Sequence, residues 1–191
     1  MENGYSSPDK TVKGECEIIM KINAIVYKSN TGHTKQYAEM LAEKTGLPIY
    51  TLPEAEKQLY PNDSIIYLGW LMAGKVQGYS DAEKRYDITA VCGVGMGAQG
   101  SQVDDIRKAN KLSENTPVFN MQGGFDLNKL HGVYKMMMSV MVKTVGKSLR
   151  EKSDRTPDED LTLEMMTNGG NYVSEENLSE VLRWYESVGE K

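Results

Sequence analysis

A chain of 191 residues is long enough for one domain with a sizeable core. Its formal net charge of −5 argues against nucleic acid as a partner, because phosphate recognition needs a basic face. Its two cysteines, Cys16 and Cys92, form no disulfide framework, and neither stands at zinc spacing from His33 or His131, so no structural metal is expected.

Residues 1–20 are polar and contain no apolar segment of a secretory signal. They read as an N-terminal extension, with Met20 a candidate translational start, and the cytoplasm is the expected compartment. The domain proper is expected over 21–191. "INAIVYK" (22–28) is a β-branched apolar run and predicts the first strand. "TGHTKQYAEMLAEKTG" (31–46) has Tyr37, Met40 and Leu41 at helical spacing and Gly46 as its stop. "LPIYTL" (47–52) predicts a short strand, 53–63 a short helix and turn, and "SIIYLGW" (64–70) a buried strand. Residues 73–85 predict a modest, glycine-interrupted helix, 86–95 a strand, 101–112 a helix and 116–124 a fifth strand. "SEENLSEVLRWYESV" (174–188) closes the chain as a helix with Leu178, Val181, Leu182 and Tyr185 on one face. Strands that are apolar throughout and alternate with helices predict an α/β fold, a parallel sheet covered on both faces.

Residues 124–173 break this rhythm, being far longer than an ordinary connection. Within them 130–150 is helical, with Lys135, Ser139, Lys143 and Lys147 in one polar stripe beside a wide arc of Met and Val. That arc is expected to pack inside the protein; a peripheral membrane contact is the less favoured use. The charged stretch 151–162 is expected to be exposed.

In an open parallel sheet, ligands bind beyond the carboxyl ends of the strands, and three loops there have unusual compositions. Ser29, Asn30, Thr31, Gly32, His33 and Thr34 lie between the first strand and the first helix. There free backbone N–H groups and the helix dipole favour an anion. A single Ser or Thr would suffice for helix capping, so this density of small polar groups points to a phosphate. Gly69, Trp70, Leu71 and Met72, after the third strand, supply an apolar shelf on which a planar ring could stack; Trp70 as plain core is the alternative. Gly93, Val94, Gly95 and Met96 belong to a glycine-rich loop after the fourth strand. Gly95 to Gly100 spells G-x-G-x-x-G, but a dinucleotide fold carries that motif after its first strand, with an acidic residue ending the next. NAD is therefore rejected. A phosphate nest, an aromatic shelf and an amide-rich loop together point to FMN.

With these three loops the chain resembles the flavodoxins. "SNTGHT" is similar to their phosphate loop, "LGW" to the second flavin loop and "CGVGM" to the third. The resemblance implies a flavodoxin-like doubly wound sheet of five strands ordered 2-1-3-4-5, and bound FMN. His33 stands where flavodoxins usually have Asn; it could donate to phosphate or point to solvent. Val94 and Met96 stand where many flavodoxins carry a second aromatic, which implies one-sided stacking. Gly124, Phe125, Asp126, Lys129 and Leu130, followed by an apolar, basic helix, look like a flavodoxin-domain subgroup that includes quinone-dependent protoporphyrinogen IX dehydrogenases.

Three functions follow as expectations. The first is an FMN-dependent electron-transfer protein serving a redox partner protein, in which no side chain is catalytic. The second is an FMN oxidoreductase of the protoporphyrinogen or quinone type, with a small-molecule or quinone acceptor and 124–173 walling the flavin. The third is a cofactor-less interaction module.

Overall fold

The computed structural model describes residues 21–189; the expected N-terminal extension and Cys16 lie outside the described residues. Five strands form the central parallel sheet. They are β1 (Ala24–Lys28), β2 (Ile49–Thr51), β3 (Ser64–Met72), β5 (Asp87–Gly95) and β6 (Val118–Gln122), and β4 (Lys75–Val76) is a short antiparallel addition to β3. The spatial order is β2-β1-β3-β5-β6. With β4 set aside, this is the expected 2-1-3-4-5 order, and the fold is flavodoxin-like.

Alternation along β1 explains why both faces must be covered. Ile25 and Tyr27 point to one face, Ala24 and Val26 to the other, and all four are buried. The first face packs on α1 (His33–Thr45) and α7 (Ser179–Gly189), through Tyr37, Ala38, Leu41 and Val181. Leu178, which ends the 3₁₀ turn leading into α7, joins them. The second face packs on α2 (Leu52–Gln58), α3 (Tyr79–Ala82) and α4 (Val103–Asn110), through Ala55, Tyr79, Ala82 and Ile106. Cys92 is fully buried among apolar side chains, and that burial pushes its thiol pKa up.

Residues 73–85 are not the helix the sequence predicts. Ala73 and Gly74 both have positive φ, 49° and 75°, the signature of a two-residue turn that matches the twist of a hairpin. The chain therefore folds back, pairing Leu71 with Val76 and Met72 with Lys75, and only Tyr79–Ala82 is helical.

The long segment after β6 is a small substructure with its own core. The two-residue strands β7 (Gly124–Phe125) and β8 (Gly170–Asn171) pair antiparallel, so the segment leaves and re-enters the domain at one place. Gly124 lies close enough to the Gly170 carbonyl that a Cβ there would collide with it. Between the two strands run α5 (Gly132–Glu151) and α6 (Pro157–Asn168). Phe125, Leu130 and Met165 form the buried centre, with Tyr134, Met138, Val142 and Leu161 packed on them. α6 occupies part of the stretch expected to be merely charged and exposed. Its start is a capping box: Glu159 N–H donates to the Thr156 hydroxyl (3.3 Å), and Thr156 N–H donates to the Glu159 carboxylate (2.8 Å). Pro157 sits in the first turn, where no N–H is needed.

One polar knot fastens the end of this substructure to the sheet. The buried Tyr37 hydroxyl donates to the Gln122 carbonyl. The Asn177 amide donates to the Tyr37 oxygen (2.7 Å) and to the Tyr172 carbonyl (3.1 Å). Helix α1, the end of β6 and the exit from β8 are thereby held together.

Candidate functional site

The strand order reverses at β1 and β3, which opens a crevice beyond their carboxyl ends. A cavity of about 440 Å³ lies there, within the range that holds a cofactor-sized molecule. Asn30, Thr31, His33 and Thr34 line it from the first loop, Trp70, Leu71 and Met72 from the second, and Val94, Gly95 and Met96 from the third. These ten are the sequence-predicted residues that the fold brings together on the cavity.

Four of the expected residues do not line it. The Ser29 hydroxyl turns inward and accepts the Gly32 N–H at 3.2 Å, bracing the loop. Gly32 stands at φ 99° just before α1, a conformation that carries no side chain without strain. Gly69 and Gly93 make room for neighbours. A Cβ on Gly69 would press on Val76, and one on Gly93 on Ile106 (2.7 Å) and Leu71 (2.8 Å).

The first loop has the free donors that an anion would need. No side chain caps α1 and its first turn holds no acidic residue, so the N–H groups there retain their donor capacity and the positive end of the dipole faces the cavity loop. His33 is 5 % exposed, not directed to solvent. Its Nδ1 shares a 3.0 Å hydrogen bond with the Thr31 hydroxyl. Burial lowers its pKa below the ordinary imidazole value, Lys129 lowers it further, and Asp126 opposes both.

Two residues that line this cavity each bury one side-chain polar atom with no protein partner: Asn30 its Nδ2, a donor, and Gln102 its Oε1, an acceptor. Buried polar groups are normally paired, so a ligand with both acceptor and donor atoms fits the cavity better than an apolar one. The third loop that carries Gln102 is fixed from β6. The buried side chain of Asn120 accepts the Gln102 N–H at 3.1 Å, and its carbonyl accepts that of Gly100 at 3.1 Å.

The far wall comes from the insertion, as the second expectation has it, but its residues on α5 and α6 were not assigned to the site from the sequence. Phe125, Leu130, Met138 and Met141 line the cavity from the inserted substructure, with Asp158 and Thr162 from α6. The Tyr134 ring on α5 meets Trp70 edge to face, with centroids 5.2 Å apart at 88°. The insertion was recognisable by its length, but no local pattern says which of its residues return to the sheet. Among the described residues, no group of three or more His, Cys, Asp or Glu side chains could hold a metal ion.

A family model described as a flavodoxin domain matches residues 24–152. The chain belongs to the flavodoxin-domain family. The match runs from β1 to the residue after α5, and so includes all three loops and the helix that forms part of the far wall. No curated protein matches the chain. Flavodoxin domains typically bind a flavin, and the donor set of this cavity fits one. An uncapped helix end suits a phosphate, and the unpaired Asn30 and Gln102 atoms suit the acceptor and donor atoms of a polar ring edge or sugar chain.

Proposed function

We propose that this flavodoxin-domain protein binds FMN and moves electrons through it to a redox partner. One observation carries the reading. A single cavity gathers an uncapped helix N-terminus, an indole wall and two unpaired buried polar atoms. The first-loop amides with Thr31 and Thr34 would hold the phosphate, Trp70 would face the ring, and the third loop with Gln102 would meet its polar edge. The bound flavin would supply the redox chemistry, accepting and returning electrons. The protein's part is to hold and orient it, to limit water and to set its potential.

A second reading has its own support. Met138 and Met141 of α5, with Asp158 and Thr162 of α6, turn part of the cavity's rim into an enclosed wall. A docking electron carrier needs the ring edge exposed, whereas a wall suits an FMN-dependent oxidoreductase that holds a small organic molecule or quinone beside the ring. The narrower resemblance to protoporphyrinogen-type dehydrogenases belongs to this reading.

The test is a visible absorption spectrum of the purified protein, before and after adding FMN and removing the excess. Flavin bands retained with quenched fluorescence are expected. A protein that stays colourless after FMN addition overturns both readings. Replacing Thr31 and Thr34 together by Ala is expected to weaken FMN by about a hundredfold or more while leaving riboflavin unchanged, because each lost hydrogen bond to a charged phosphate is worth about 1.5–3 kcal/mol. Equal loss of both ligands would show that this loop holds no phosphate. Turnover of added quinone by reduced protein, compared with reduction by a flavodoxin reductase, separates the two readings.

A further inference from the structure

Helix α5 has two apolar faces, and only one has a use inside the molecule. Tyr134, Met138 and Val142 pack on the substructure's core, and Met141 lines the cavity. On the outer side Val133, Met136, Met137 and Val140 are 56, 64, 46 and 56 % exposed. Their spacing of three and four places them in one stripe along nearly two turns. An exposed run of large apolar side chains of this kind marks an interaction surface.

The charge around the stripe restricts the partner. From Leu127 to Arg150 the chain carries Lys129, Lys135, Lys143, Lys147 and Arg150 and no aspartate or glutamate, although the whole protein has a net charge of −5. Lys135 and Lys143 are exposed and, among the described residues, enter no ion pair. On the helical wheel, Lys143 borders the apolar stripe and Lys147, paired with Glu151, falls in line with it beyond Val140, whereas Lys135 lies on the opposite side of the helix. A protruding crest of flexible Met and Val side chains with long basic neighbours matches a soft, anionic, apolar-cored surface. Such a helix lies in the headgroup plane with its apolar side inserted and its lysine stems reaching back to the phosphates. No helix of the described residues is long and apolar enough to cross a membrane, so the contact would be peripheral.

We propose that the outer face of α5 docks this protein on an anionic lipid bilayer. The attraction comes from Lys143, Lys147 and Arg150 at the edge of the stripe, and insertion from Val133, Met136, Met137 and Val140. Because the inner face of the same helix forms part of the cavity wall, docking brings the cavity rim next to the membrane surface. The proposal does not depend on the flavin reading, since lipid binding is measured without reference to a cofactor.

The experiment is co-sedimentation of the full-length protein with vesicles of phosphatidylcholine alone and with about 30 mol% phosphatidylglycerol added. Binding to the anionic vesicles only is expected, weakening steeply as salt is raised above about 0.1 M. Met136→Glu with Val140→Glu, and separately Lys143→Glu with Lys147→Glu, are each expected to lower it about tenfold or more. All four positions are exposed, and circular dichroism checks that the fold is kept. Absence of binding to anionic vesicles at low salt overturns the proposal, as does binding that neither pair of substitutions changes. Concentration-dependent dimerisation, abolished by Met136→Glu with Val140→Glu and competing with vesicle binding, would assign the stripe to a second copy of this chain. Vesicle binding gained only on deleting residues 2–19 would assign it to the chain's own N-terminal segment.

Discussion

His33 is buried beside a loop whose chemistry favours anions, and it carries a lowered pKa. Its folded-state pKa lies below the unfolded one, so between the two values the unfolded chain binds the extra proton. Stability is therefore level above about pH 6.5, falls as the pH drops below the ordinary imidazole value, and levels again once the folded protein is protonated too. Thermal melts of the ligand-free protein from pH 7.5 to 5 are expected to show this decline, and His33→Gln to flatten it. An unchanged decline in the His33 variant would mean that another group is being titrated. At this scale the first loop was legible because its hydroxyls, amide and glycine are consecutive. Gln102, Asp158 and Thr162 were not, because Gln102 stands at the far end of the third loop and the other two reach the cavity from α6, far away in the sequence.

Between elements, the Tyr37 hydroxyl joins α1 to two segments far from it in sequence: Gln122 at the end of β6, and the stretch holding Ser174 and Asn177. Tyr37→Phe keeps the ring in the core and removes only this junction, leaving the Gln122 carbonyl and the Asn177 amide underpaired. The expected cost is about 1–3 kcal/mol, read as a lower urea midpoint at unchanged m-value. An unaltered midpoint would mean that the two partners pair equally well without the phenol. The parallel strands and α1 were readable from apolar runs and helical spacing, since burial on two faces leaves that mark. Residues 73–85 were not, because a two-residue hairpin arm such as Lys75–Val76 is too short to show alternation. The pairing of Gly124–Phe125 with Gly170–Asn171 escaped for the same reason. Helix α6 was detectable in principle. Thr156-Pro157-Asp158-Glu159 is a capping-box pattern with proline at the first position, and it was read only as charge.

For the molecule as a whole, the alternation of strand and helix implied a doubly wound sheet, but it did not dictate the strand order, which came from the resemblance to flavodoxins. The inserted substructure begins and ends on one two-residue ladder, Gly124 opposite Asn171 and Phe125 opposite Gly170. Replacing residues 126–169 by Asn-Gly converts that ladder into a tight hairpin and cuts no strand of the central sheet. The shortened protein is expected to unfold in one cooperative urea transition, with a smaller m-value in proportion to the surface removed. Added FMN should still bind it, more weakly and with a more accessible ring. Loss of cooperative unfolding would show that the substructure's core and the sheet's core stabilise each other. The division of labour is then clear. The sheet presents three loops of the kind expected to hold the flavin, and the insertion walls the far side of the cavity.

The placement of the two tryptophans gives the molecule a built-in optical reference. Trp70 is on the cavity wall against Tyr134, whereas Trp184 packs on Phe119 against the α7 face, with ring centroids 5.9 Å apart, and does not line the cavity. Occupancy of the cavity should therefore act on Trp70 by contact, and a Trp184→Phe protein would leave Trp70 as its one tryptophan emitter, reporting on the cavity alone.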